Sequence, residues 1–202
     1  MVKIISFEGC IGAGKTTLTN YFSYELKCEK ILEAYEINPF LKDFYAKSDV
    51  VLETELAFLL IHYSQLKKAL KECKGSFILS DFSIEKDLVY AKLNLNKTEL
   101  EIFEHVYNYI ISKVGIPYAV IYIDLSLNIL KRRIFQRGRP YEINADPGYF
   151  KKYNDKVKEY FRKYARELVP EEMEYDENEE NYDIVAGCNR FREEILRRIE
   201  EG

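Results

Sequence analysis

Apolar positions along the chain form two kinds of run: short β-branched stretches, and longer segments repeating at helical spacing. Val2 to Phe7 is short, β-branched and closed by glycine, the pattern of a buried strand. A glycine-rich turn follows, then a predicted helix from Lys15 to Leu26, and Lys30 to Tyr35 offers a second strand. From Val50 to Leu70, the residues Leu52, Leu56, Leu59, Tyr63, Leu66 and Leu70 recur on one helical face. Ser76 to Ser80 reads as a strand ending at Asp81. Asn96 and Glu99 offer a capping box for a helix carrying Leu100, Phe103, Tyr107, Ile110 and Val114 on one side. Tyr118 to Leu125 is the clearest central strand, and Ser126 can cap the helix behind it. Asp146-Pro147 starts a further helix that runs toward Leu168. Glu171 to Glu180 is strongly acidic and reads as a solvated loop, and a last helix carries Phe191, Ile195, Leu196 and Ile199.

Strands alternating with helices imply an α/β fold with a mainly parallel sheet covered on both faces. In such sheets ligands bind at the carboxyl ends of the strands. The 202 residues suit a single domain over 1–202, with no repeat, low-complexity tract or linker.

Composition narrows the picture. An apolar share of 47% with 32% charged residues is ordinary for a water-soluble globular chain. The formal charge of −4 leaves no basic stripe for a nucleic-acid partner. No apolar run approaches the ~20 residues that span a bilayer, and the N-terminus runs straight into a strand, so neither a membrane span nor a leader is expected. Cys10, Cys28, Cys73 and Cys188 are scattered without a C-x-x-C pair, which argues against zinc and a disulfide framework and fits reduced thiols in the cytoplasm.

The chemistry begins at Gly9-Cys10-Ile11-Gly12-Ala13-Gly14-Lys15-Thr16, which fits Gly-x4-Gly-Lys-Ser/Thr, with Thr17 next to it. Its glycines let backbone amides turn inward around phosphate oxygens, and the helix behind points its positive end at the same anion. Lys15 would neutralise β/γ-phosphate charge, and the Thr16 hydroxyl would hold Mg²⁺. The match lies between a strand and a helix, as the motif requires. Nucleoside triphosphate binding follows, with ATP as the expected donor. A GTPase would carry Asn-Lys-x-Asp, but Asn96-Lys97-Thr98-Glu99 lacks the aspartate and is better explained as a helix cap.

Arg132, Arg133, Arg137 and Arg139 crowd around Gly138. Arg133 and Arg137, four apart, share a helix face, and Gly138 ends that helix. Crowded guanidinium groups repel unless anions lie between them, and a transferring phosphoryl group matches their forked donors.

Together these features resemble the deoxynucleoside kinase family, its short bacterial members in particular, over nearly the whole chain. The family's Glu-Gly-Asn-Ile-Gly-x-Gly-Lys-Ser/Thr is here Glu8 through Thr16, with Cys10 in place of asparagine. A glutamate five residues before Asn-Pro is Glu33 before Asn38-Pro39, followed by Phe40-Leu41 and Phe44-Tyr45. The strand-end acid is Asp81, Tyr90-Ala91 closes the next segment, and Arg133 through Glu142 matches Arg-x3-Arg-Gly-Arg-x-x-Glu.

The resemblance implies a three-layer P-loop kinase fold with a mainly parallel five-stranded sheet and an arginine-rich lid. It also implies phosphoryl transfer from ATP to the 5′-hydroxyl of a deoxynucleoside, in nucleoside salvage, by a homodimer. Under it Glu33 accepts the hydroxyl proton, with Glu36 its nearest competitor. Asp81 would be the Mg²⁺ partner of Thr16, and is also a candidate proton acceptor. Arg133, Arg137 and Arg139 would meet the donor phosphates, Arg133 at the transferred group. Tyr45 and Glu142 would hold the sugar 3′-hydroxyl, and Glu55 would read the base edge with Asp87 nearby, the alternative for Glu55 being a surface helix charge. Phe58, on the same helix as Glu55, fits stacking on the base and core packing equally. The family's Asp/Glu-Arg-Ser is here Asp81-Phe82-Ser83, and Lys86 is the nearest cation to replace the missing arginine. His62 and His105 are expected to pack or face solvent.

Two other readings share part of this pattern. A nucleoside monophosphate kinase similar to thymidylate kinase would need an arginine after the strand-end acid, where Phe82 stands. A catalytically silent nucleotide-binding protein would have no use for Lys15, Thr16, Glu33, Asp81 and the lid together.

Overall fold

The computed structural model describes residues 2–123, 125–139, 147–164 and 196. The expected acidic loop, the last helix, Cys188 and Glu142 lie outside the described residues, Leu196 excepted.

Four strands are described: β1 (Lys3–Gly9), β2 (Glu29–Ile31), β3 (Phe77–Ser80) and β4 (Ala119–Ile123). All pairings are parallel, in the order β2-β3-β1-β4. The five-stranded sheet expected is thus corrected to four among the described residues. The hydrophobic pattern itself offered only four strand-like runs, and the fifth came from the family resemblance. β4 is buried at every position and, among the described residues, pairs with β1. β2 is shorter than Lys30 to Tyr35, because the chain turns into a 3₁₀ helix at Tyr35–Ile37.

Seven α-helices are described: α1 (Lys15–Glu25), α2 (Leu41–Tyr45), α3 (Val51–Glu72), α4 (Glu85–Asn94), α5 (Lys97–Val114), α6 (Leu127–Arg137) and α7 (Pro147–Tyr164). The expected capping box forms: Asn96 accepts from the Glu99 amide and Glu99 from the Asn96 amide. Ser126 accepts from the Ile129 amide at the start of α6. Gly138 ends α6 with φ 73° and ψ 23°, a left-handed cap that glycine adopts without Cβ strain.

Strand alternation splits the core into two layers. Ile5, Phe7 and Leu79 face one side with Leu18, Phe22, Tyr122, Tyr153, Val157 and Phe161. Ile4 and Ile78 face the other with Leu59, Leu66, Phe82, Phe103, Tyr107 and Ile110. The result is a helix–sheet–helix sandwich in which the ends of β1, β2 and β3 open side by side. No helix among the described residues is long and apolar enough to cross a membrane.

Candidate active site

β1 delivers the phosphate-binding loop. A Cβ on Gly9 would lie 2.7 Å from the Ile123 carbonyl, so the loop can leave the sheet beside β4 only with glycine here. Lys15 Nζ donates to the Gly9 and Cys10 carbonyls at 2.9 and 3.2 Å. Burial lowers the Lys15 pKa, with Glu8 opposing. Ile11, Gly12, Gly14, Lys15, Thr16 and Thr17 line a cavity of about 800 Å³, while Ala13 is wholly buried behind it. Cys10 is buried and its thiol is pushed up to about 11 by burial, so it is a protonated packing group.

Glu8, at the end of β1, is completely buried. It accepts from the Gly9 amide at 3.2 Å and from the Ser83 amide at 2.5 Å, which ties the phosphate loop to the turn after β3. Sequence reasoning used Glu8 only as part of the motif; its place in the sheet gives it this second contact.

Asp81 follows β3 and joins the two halves of the cavity. Thr16 Oγ1 donates to its Oδ2 at 2.6 Å, and the Glu33 amide donates to its Oδ1 at 2.7 Å. Two hard oxygen donors from Thr16 and Asp81 at this spacing fit Mg²⁺, which binds few protein oxygens and completes its shell with phosphate and water.

Glu33 lies just beyond β2, and its backbone is held from α3. Gln65 Nε2 donates to the Leu32 carbonyl at 2.7 Å, and Gln65 Oε1 accepts from the Ala34 amide at 3.4 Å. Lys86 Nζ donates to Glu33 Oε1 at 2.8 Å. His62 Nε2 lies 3.2 Å from the same oxygen, an ion-pair distance without hydrogen-bond alignment. Burial would raise the Glu33 pKa, but Lys86 and then His62 outweigh it and hold the carboxyl well below its usual range. Burial likewise opposes the Lys86 charge, and Glu33, then Glu8 and Asp87, raise its pKa. Glu36, the competitor, is exposed on the 3₁₀ helix, although it too borders the cavity.

His62 packs, as the sequence reading allowed, but it also faces two carboxylates of the site. It is fully buried in the site, with Nδ1 2.8 and 3.0 Å from the two Asp87 oxygens. Against the cost of burial, Asp87 first and Glu33 next raise its pKa to about 9. A signal existed in the sequence: Glu55 and His62, seven apart, interrupt the same stripe that carries Leu59 and Leu66. His105 is exposed, as expected.

Glu55 is buried beside the cavity and accepts from Asn94 Nδ2 at 2.7 Å. Burial pushes its pKa up to about 8. Asn94, at the end of α4, was not foreseen; no local pattern marks it. Tyr45, Phe58, Lys86 and Asp87 border the same cavity. Arg133, Arg137 and Arg139 border it from the other side, and Arg133 Nη1 donates to the Ala13 carbonyl at 3.2 Å. The Arg139 guanidinium stacks 3.7 Å over the Tyr35 ring.

Comparison with known proteins gives the family and the fold. The family model described as deoxynucleoside kinase matches residues 5–199. A structure of deoxyadenosine kinase from M. mycoides with dCMP and dCDP bound superimposes with a TM-score of 0.80 at 22% identity, covering 96% of this chain and 99% of that one. The same enzyme with bound dCTP gives 0.77 at 22% identity over 96% and 99% of the two chains. With bound dATP it gives 0.69 at 26% identity over 79% and 84%. A search of curated proteins finds no match.

Proposed function

The chain belongs to the deoxynucleoside kinase family, and from that premise we propose how its residues divide the work of moving the γ-phosphoryl group of ATP to a deoxynucleoside 5′-hydroxyl. The observation that carries the assignment is the bridge through Asp81, which holds the phosphate loop through Thr16 and the backbone of Glu33 at once.

Both Asp81 oxygens are occupied, so Asp81 is read as the metal-side group. Glu33 Oε1 is occupied by Lys86 and His62, while Oε2 has no polar partner among the described residues. Oε2 is therefore assigned as the proton acceptor. The O5′–H bond breaks toward Glu33 Oε2 as the O5′–P bond forms and the bond from the γ-phosphorus to the ADP oxygen breaks. Lys15 and the loop amides hold the β- and γ-phosphates. Arg133, fixed against the loop at Ala13, and Arg137 meet the charge on the transferring group. Mg²⁺, held by Thr16 and Asp81, would offset charge shared between the β- and γ-oxygens.

Phe58 and Tyr45 border the remaining space, which suits an uncharged sugar and base. The monophosphate-kinase alternative calls for a cation next to the strand-end acid, whereas Phe82 is fully buried there. The M. mycoides structures with dATP and dCTP support an adenine or cytosine acceptor. A homodimer and a cytoplasmic location are carried over from the resemblance; light scattering of the pure protein tests the first and fractionation of cells the second. ADP release with Mg²⁺-ATP and either deoxynucleosides or deoxynucleoside monophosphates tests the reaction. Turnover with the nucleosides alone is expected; faster turnover with the monophosphates would overturn it.

A further inference from the structure

The family pattern puts an arginine where this chain has Phe82, and that phenylalanine leads to a second group on the base. The His62 ring stacks on Phe82 with centroids 4.2 Å apart and planes 21° apart. Phe58 flanks it at 5.9 Å. The imidazole plane is thereby fixed, with Nδ1 toward both Asp87 oxygens and Nε2 toward Glu33 Oε1. A neutral ring donating to Asp87 through Nδ1 would turn an Nε2 lone pair onto the Glu33 carboxylate, and the opposite tautomer would turn one onto Asp87. Only the doubly protonated ring suits both neighbours. Its charge and that of Lys86 face the carboxylates of Glu33 and Asp87, so each cation lies against an acid.

We propose that His62, as an imidazolium seated on Phe82 and anchored by Asp87, is a positioning residue for Glu33, sharing with Lys86 the place of the missing arginine. The inference rests on Glu33 being the base. Two cations on Oε1 leave Oε2 as the oxygen that takes the acceptor proton.

Two measurements test it. Ring-nitrogen NMR of the whole wild-type protein near neutral pH should show both His62 nitrogens protonated; one unprotonated nitrogen overturns the proposal. Steady-state kinetics with Mg²⁺-ATP and deoxyadenosine or deoxycytidine then compare His62→Gln with Glu33→Gln. His62→Gln should lower kcat about 10–100-fold, the scale of losing one close charge beside the base, while the KM for ATP stays unchanged. An unaltered kcat in His62→Gln, with Glu33→Gln impaired, overturns the role of His62 alone. An unaltered kcat in Glu33→Gln overturns the base assignment itself.

Discussion

At the scale of single residues, charge and burial decide roles. Glu33→Gln keeps the shape of the side chain and its contact with Lys86 but removes the proposed proton acceptor. We expect kcat to fall by about 10²–10⁴ with little change in ATP affinity, measured by steady-state kinetics. A larger loss in Glu36→Gln would move the base to the 3₁₀ helix. Glu55 bears on base choice. An ionised carboxylate could only accept hydrogen bonds and would disfavour thymine, but burial keeps Glu55 a neutral acid up to about pH 8. With Oε1 occupied by Asn94, the acid proton belongs on Oε2, giving one donor and one acceptor as an amide would. Deoxyadenosine and thymidine are then both compatible near neutral pH, and the kcat/KM ratio should shift toward deoxyadenosine as pH rises through about 8. A pH-independent ratio, or a Glu55→Gln variant with the same shift, would remove Glu55 from the base site.

At the scale of elements, α6 and α3 carry the site to the sheet. α6 presents Arg133 and Arg137 along one face and ends at Gly138, which frees Arg139 to reach Tyr35. Arg133→Ala should lower kcat near the low end of the roughly 10³–10⁵ that a transition-state arginine supplies, leaving nucleoside KM close to wild type. Equal kcat in Arg133→Ala and Arg137→Ala variants and wild type would return these arginines to the solvated surface. α3 places Glu55, His62 and Gln65 over the ends of β2 and β3. α5 has no part in the chemistry, so its start tests local structure alone. Asn96→Ala removes one half of the capping box and should cost about 1 kcal/mol in urea unfolding, with kcat unchanged.

At the scale of the whole molecule, the buried acids and His62 make stability depend on pH. Burial moves the Glu55 pKa from 4.5 to about 8. Against burial, Asp87 and then Glu33 move that of His62 from 6.5 to about 9. Both groups bind more protons folded than unfolded over those intervals. Their contributions are thus complete below the unfolded values and are lost as pH rises through the folded ones. Glu33 acts oppositely: its lowered pKa contributes stability above 4.5 that disappears in acid. The Tm should fall from about pH 4.5 through Glu55, more steeply above 6.5 where His62 joins it, and level off above about 9. Glu55→Gln should flatten the Glu55 share of that fall; identical slopes in the two proteins would mean that Glu55 ionises freely in the folded state.

Much of this architecture could be read from local pattern. The phosphate loop, both helix caps, the strand ending at Asp81 and the glycine that ends α6 each depend on neighbours within a few positions, and short-range sterics and hydrogen bonding act over that distance. The sequence alone therefore determined an α/β kinase fold, the phosphate loop and the strand that ends at Asp81. What it could not determine is which distant groups share an unsolvated space. The contact of His62 with Glu33 and Asp87, the Asn94 bond to Glu55, and the Glu8 bond to Ser83 join segments up to 75 positions apart. Whether a buried acid is ionised depends on the charges that the fold brings against it in a low-dielectric interior, and only the tertiary structure fixes those charges.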